Sequence, residues 1–125
     1  MKKGIKISES QQLCDTIVEG MQENKANEIV VLDLREIDSA VCDFFVISSG
    51  DSSTQVDGIC SSVEKYTREN ISEKPWRIEG KSNSEWILMD YISVVAHVFH
   101  KETRAFFDLE DLWADGKRTD VPNLN

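Results

Sequence analysis

The chain has 125 residues, 40% of them hydrophobic, and a formal net charge of −9 at pH 7. This length and composition fit one domain that buries its own core without disulfides or metals. The negative charge argues against extensive contact with nucleic acid, because such contact needs Lys and Arg to displace counterions from phosphates. It favours a basic protein partner, although the same charge also serves solubility alone.

Targeting signals and cysteines indicate the compartment. The first residues begin like a signal peptide, but Ser8–Gln12 is polar where an apolar segment would follow, so we expect no export. The longest apolar run, Val94–Phe99, has the length of a strand, and no membrane helix is expected. Cys14, Cys42 and Cys60 are odd in number and lack a C-x-x-C pair, which argues against disulfides and zinc. We therefore predict a cytoplasmic protein with small, buried cysteines.

The first half of the chain predicts a helix, two strands and a second helix. Capping-box patterns begin at Ser8 and Ser52, and each is followed by apolar residues at helical spacing. They predict helices over residues 9–24 and 53–70. Between them, the runs over 28–35 and 43–50 are rich in β-branched and aromatic residues, as buried strands are.

The second half predicts three strands and a short helix. The strands are expected over 76–79, 85–90 and 94–100. The helix should carry four apolar side chains on one side, namely Phe106, Leu109, Leu112 and Trp113. Residues 1–115 then form one α/β domain of order α-β-β-α-β-β-β-α, with a mixed sheet of about five strands flanked by helices. Residues 116–125 are polar, and we expect a loose C-terminal tail.

The sequence offers little support for catalysis. The Ser48–Ser53 segment could cradle a phosphate at a helix N-terminus, but it has no glycine-rich motif and no following Lys. A nucleotidyl transferase needs paired carboxylates for Mg²⁺, yet Asp33, Asp38 and Asp43 form no D-x-D pair. We predict no catalytic, cofactor or metal site, and keep a nucleotide-binding enzyme as the alternative.

One strand of the second half suggests a recognition surface. Trp86, Leu88 and Asp90 alternate onto one face of the strand, with Ile87 and Met89 on the other. A Trp among polar neighbours is typical of interfaces, although burial under a helix would also explain it.

The two histidines, His97 and His100, should lie on opposite faces of the last predicted strand, so they cannot chelate one metal together. His97 sits within an apolar run. It is interpreted as a hydrogen-bonded structural residue, with an interface residue and a catalytic base as alternatives.

A family resemblance is carried by residues along most of the chain. They are Asp38, Asp43-Phe-Phe-Val-Ile, Ser49-Gly50, Ser52, Gln55-Val56, Glu79-Gly80, Asn83-Ser84, Trp86, Leu88, Asp90-Tyr91, Val94-Val95, His97-Val-Phe99, Arg104, Leu109-Glu110 and Leu112-Trp113. In this order they resemble the ribosomal silencing factor family, also called the Iojap-like family. The resemblance extends from the first helix to about Asp115.

The resemblance implies a fold related to the nucleotidyltransferase core but without catalytic residues. It also implies binding to the large ribosomal subunit through large-subunit ribosomal protein fourteen, which blocks joining of the small subunit and lowers translation when nutrients are scarce. A homodimer is expected. The residues expected to contact the partner are Trp86, Leu88, Asp90, Tyr91 and His97. The candidate dimer contacts are Trp76 and Phe99.

The chain departs from the family pattern at two places. Related proteins commonly have Asp, often after Gly, where this chain has Ile92-Ser93. Because a positive φ is costly for Ile, we expect a different turn there. Phe107 stands where Tyr is usual. Besides silencing and the enzyme alternative, a third hypothesis is a structural dimer that acts on some other partner, one that seeks an acidic surface.

Overall fold

The fold is a six-stranded sheet with helices, described for residues 8–123 of a computed structural model. The elements are α1 (Glu9–Glu23), β1 (Asn27–Asp33), β2 (Phe44–Gly50), α2 (Ser53–Ile71), β3 (Arg77–Glu79), β4 (Trp86–Asp90), β5 (Val94–His100), α3 (Lys101–Phe107), α4 (Leu109–Leu112) and β6 (Lys117–Val121). Within residues 8–123, no helix has the length and apolar character needed to cross a membrane.

The two long helices begin where the capping patterns predicted. The Ser8 hydroxyl accepts a hydrogen bond from the Gln11 N–H, and the Ser52 hydroxyl accepts one from the Gln55 N–H, each at 3.1 Å. The helices pack closely at Gly20. A Cβ built there would come within 2.8 Å of the Val63 Cα, so only glycine allows this approach.

The sheet is mixed, as predicted, with the strand order β3-β4-β5-β2-β1-β6. β2 and β5 are parallel neighbours at its centre, and every other pairing is antiparallel. β2 is buried along its whole length, and its apolar residues Phe44–Ile47 follow one another without the polar alternation of a half-exposed strand. Phe44 and Val46 of β2 belong to the core under α1 and α2, whereas Phe45 and Ile47 belong to a smaller cluster on the opposite face.

The expected loose tail at 116–125 is corrected in part, because Lys117–Val121 forms β6. Its backbone pairs antiparallel with β1, from Ile29 opposite Val121 to Asp33 opposite Lys117. Its first four side chains are exposed, so the segment has no apolar period by which a strand could be recognised. The sheet therefore has six strands rather than five.

The single third helix is also corrected. Asp108 adopts φ 48° and ends α3, and its side chain accepts from the Asp111 N–H to begin α4. The kink separates the four apolar residues, because Leu109 is buried while Phe106 and Leu112 are strongly exposed.

The turn between β4 and β5 keeps a positive φ despite its isoleucine. Ile92 has φ 75°, and the Ser93 N–H donates to the Tyr91 carbonyl at 2.9 Å across it. The Asp90 carboxylate accepts from the Ile92 N–H at 2.8 Å. These hydrogen bonds hold the backbone of Ile92 in a conformation that β-branched residues disfavour. The expected difference from the turn of related proteins stays a prediction.

Candidate partner-binding face

The sheet face opposite α1 and α2 is only partly covered. Over β1 and β2, a small cluster forms under Leu109 and Trp113 and beside the 34–43 loop. Trp86 and Leu88 of β4 lie at the margin of this cluster and stay partly exposed. We call the partly exposed surface formed by Trp86 and Leu88 the open face.

The Trp86 side chain on the open face is held by several contacts. Its indole N–H donates to His97 Nδ1 at 3.1 Å, across the register pair that places Leu88 opposite His97. Its ring stacks on Phe99 with centroids 4.9 Å apart, and Phe107 lies 4.8 Å away on α3. A large aromatic side chain is thus held in one orientation while part of it remains exposed.

His97 holds Trp86 in place and does not face solvent itself. Its side chain is 4% exposed, and burial lowers its pKa from 6.5 to about 4. It is therefore neutral at pH 7. Because Nδ1 accepts from Trp86, the proton is assigned to Nε2, which has no hydrogen-bond partner among residues 8–123. His97 is therefore too buried for the direct partner contact expected of it, and its side chain supports Trp86 instead.

The predicted alternation along β4 is confirmed, because Ile87 and Met89 are fully buried and Trp86, Leu88 and Asp90 are not. Asp90 is engaged within the chain. Besides the Ile92 N–H, its carboxylate lies 3.8 Å from the Arg77 guanidinium. Asp90 therefore supports the turn as well as adding negative charge.

Two further site expectations are corrected by burial. Tyr91 is 6% exposed, and its hydroxyl lies 2.9 Å from the Thr67 hydroxyl, so its side chain belongs to the core under α2. Phe99 has no exposed surface, because Trp86 covers it, and it is unavailable as a dimer contact. Trp76, the other dimer candidate, is 68% exposed and lies against Arg77 at 5.5 Å.

The residues considered for phosphate or metal binding have structural partners. The Arg35 guanidinium bonds both oxygens of Asp33, at 3.0 and 2.8 Å, and this bond holds the pKa of that carboxyl below its usual range. Ser52 caps α2, and the Asp51 N–H donates to the Gln55 side chain at 2.7 Å. Among residues 8–123, no three His, Cys, Asp or Glu side chains lie together as metal ligands would.

The α3–α4 segment is anchored by a largely buried ion pair, Arg104–Glu110, whose role the sequence did not indicate. Arg104 donates to Glu110 at 2.7 Å and to both the Ser49 hydroxyl and the Asn27 carbonyl at 3.3 Å. This ties the segment to the ends of β1 and β2, so that Phe107 packs on Trp86. The six-residue separation of Arg104 and Glu110 could have suggested the pair only once the break at residue 108 was known.

A known protein family matches almost the whole chain. The model of the family described as "Ribosomal silencing factor during starvation" matches residues 7–125. The chain belongs to the ribosomal silencing factor family. The matched range includes β6, so the last strand lies within the region shared by ribosomal silencing factors.

Named relatives agree over most of the chain. It is 37% identical to ribosomal silencing factor RsfS of Halalkalibacterium halodurans over 115 residues, covering 92% of this chain and 97% of the relative. It is 38% identical to RsfS of Bacillus subtilis over 100 residues, covering 79% and 82%. A crystal structure of a Chromobacterium violaceum protein superposes with a TM-score of 0.80 at 28% identity, covering 93% of this chain and 95% of that one. The expected mixed α/β fold and the resemblance to silencing factors are both confirmed.

Proposed function

We propose that this chain binds the large ribosomal subunit through large-subunit ribosomal protein fourteen and blocks joining of the small subunit. Translation would be repressed in this way when nutrients are limiting. Membership of the family supports a regulatory role at the ribosome. One observation links the proposal to particular residues. Trp86 on the open face is partly exposed, and its orientation is held by His97 and Phe99.

Trp86 and Leu88 have the character of a binding surface. Interface anchors are commonly aromatic residues that are oriented before binding, because little side-chain entropy is then lost on association. The His97 hydrogen bond and the Phe99 ring supply that orientation. The net charge of −9 would steer the chain towards a basic ribosomal protein.

A chain that blocks the small subunit by occupying its contact surface on the large subunit needs no chemical reaction. We therefore propose that the chain is not an enzyme. The alternative of a nucleotide-binding enzyme has little support, because Asp33 is bonded to Arg35 and Ser52 of the Ser48–Ser53 segment caps α2. We further propose that it acts in the cytoplasm, and that it forms homodimers in which Trp76 is a contact.

The experiment compares Trp86→Ala with a matched variant on the helical side of the molecule. Tyr66 is also a partly exposed aromatic residue, but it lies on α2, where its hydroxyl bonds Glu23. Purified proteins are pelleted with large subunits through a sucrose cushion, and joining of the small subunit is followed by light scattering. Trp86→Ala should weaken binding by about 2 kcal/mol, roughly 30-fold, and relieve the block. Tyr66→Ala should bind and block as the parent does.

Stability must be measured beside binding, because Trp86 also covers Phe99. Both substitutions are expected to lower the melting temperature, so binding is assayed well below both transitions. Equal binding by the two variants would show that the open face is not the partner surface. If the parent protein neither pellets with large subunits nor slows joining, the proposed function itself is wrong.

A further inference from the structure

The β4–β5 turn exposes an isoleucine in a backbone conformation that isoleucine disfavours. Ile92 has φ 75° and is 60% exposed. With a positive φ, the Cβ of an L-residue crowds the backbone, and two substituents on the Cβ increase the cost. Glycine would adopt the turn without this cost. The Ile92 side chain is therefore not explained by the needs of the turn.

A second exposed apolar side chain lies on a loop bonded to this turn. Val41, in the loop before β2, is 84% exposed. Two residues further on, the Asp43 N–H donates to the Ser93 carbonyl at 2.8 Å, and the Phe44 N–H also reaches it at 3.3 Å. The two loops are thus joined at one end of the sheet. We call Val41 and Ile92 the turn patch.

The surroundings of the turn patch carry negative charge. Asp38 is exposed and Asp43 partly exposed, and neither forms an ion pair with residues 8–123. Apolar side chains beside unpaired carboxylates fit a surface that offers an apolar recess bordered by Lys or Arg. They fit a nucleic-acid backbone poorly, because phosphates would be repelled.

We propose that the turn patch is a second contact with the basic protein partner of the open face, and that Ile92 determines affinity there. This inference rests on the proposed function, because it assigns more of the same partner's surface. The two regions are continuous along β4, which runs from Trp86 to Asp90 and leads directly into the turn. Backbone strain is kept at this turn because the side chain is used in binding.

The substitution Ile92→Gly separates a binding role from a structural one. It removes the side chain and relieves the positive φ, so the melting temperature should rise by about 4 °C. Binding to large subunits should nevertheless weaken about tenfold, because an apolar contact is lost. A purely structural residue would not produce a more stable protein that binds less well. Val41→Ser should weaken binding a few-fold without raising the melting temperature.

Lys25→Gly is the matched control. Lys25 is exposed with φ 58°, but it precedes β1 at the opposite end of the sheet. This substitution should also raise the melting temperature, and it should leave binding unchanged. Self-association of each variant is measured by sedimentation equilibrium, because Trp76, the proposed dimer contact, lies next to Asp90 at the same end as the turn patch.

The outcomes distinguish this inference from the proposed function. If Trp86→Ala loses binding while Ile92→Gly and Val41→Ser bind as the parent does, the turn patch is not a contact and the proposed function stands. If Ile92→Gly loses self-association and retains ribosome binding, the patch is a surface between copies of this chain, and the inference is overturned. If the parent protein does not bind large subunits, both fail together.

Discussion

Acid should destabilise this protein through His97, because the folded state keeps that imidazole neutral. Burial lowers the pKa of His97 from 6.5 to about 4. Between these two values the unfolded chain binds a proton that the folded chain does not. The stability that depends on a neutral His97 is therefore present in full above pH 6.5, and it is lost as the pH falls towards 4. Below about pH 4 both states are protonated and the loss stops.

The size of the effect follows from the difference between the two pKa values. A pH of 5 lies 1.5 units below the pKa of His97 in the unfolded chain, which is 6.5, and above its pKa in the folded chain, which is about 4. One unit corresponds to about 1.36 kcal/mol, so the free energy of unfolding should fall by about 2 kcal/mol between pH 7 and pH 5. For a chain of this length, that is a decrease of roughly 8 °C in melting temperature.

Two histidine variants test this reasoning by thermal denaturation at pH 7 and pH 5. His97→Asn keeps an acceptor for the Trp86 indole but cannot titrate. The decrease in its melting temperature between pH 7 and pH 5 should therefore be smaller than that of the parent, by roughly 8 °C. His100 lies three residues on at the surface, where its Nδ1 accepts from the Glu102 N–H. Since Asn also caps helices well, His100→Asn should keep the pH dependence of the parent. If the melting temperature of His97→Asn falls between pH 7 and pH 5 as much as that of the parent, His97 is not the group that makes stability depend on pH.

Two further predictions concern the α3–α4 anchor and self-association. Arg104→Met should destabilise the fold by about 3 kcal/mol in urea denaturation, because it leaves the Glu110 carboxylate buried without its cation, and Arg104→Met with Glu110→Leu should recover most of that loss. An equal loss in the single and double variants would show that packing, rather than the charge pair, holds the segment. Trp76→Ser should shift the protein towards monomer in light scattering, and a parent protein that is monomeric at all concentrations would refute the homodimer.

Local patterns predicted most of the secondary structure, because they depend on neighbouring residues. The serine caps at Ser8 and Ser52 and the helical spacing after them located α1 and α2 to within one residue. Val94–His100 was predicted with its observed bounds. The alternation along β4 identified which of its side chains are buried, since successive residues of a strand point to opposite faces.

The site was predicted only in part, because the burial of each predicted contact residue depends on residues that are distant in sequence. Nothing around Tyr91 in sequence indicates that its hydroxyl meets Thr67 on α2. His97 was recognised as a structural residue, but its partner, eleven positions earlier, becomes apparent only from the β4–β5 register. Trp86 was identified because its residue type and strand position were both informative.

The tertiary structure alone decided the elements that lack an apolar pattern of their own. Lys117–Val121 is a strand because β1 offers it an unpaired edge, and backbone hydrogen bonds do not depend on side-chain character. Ile92 adopts a positive φ because the strands on both sides and the Asp90 carboxylate fix the turn more strongly than isoleucine resists it. The sequence by itself determined the helices, the central strands and the alternating face of β4. Long-range pairing determined the edge strand, the strained turn and the side chains that remain exposed to a partner.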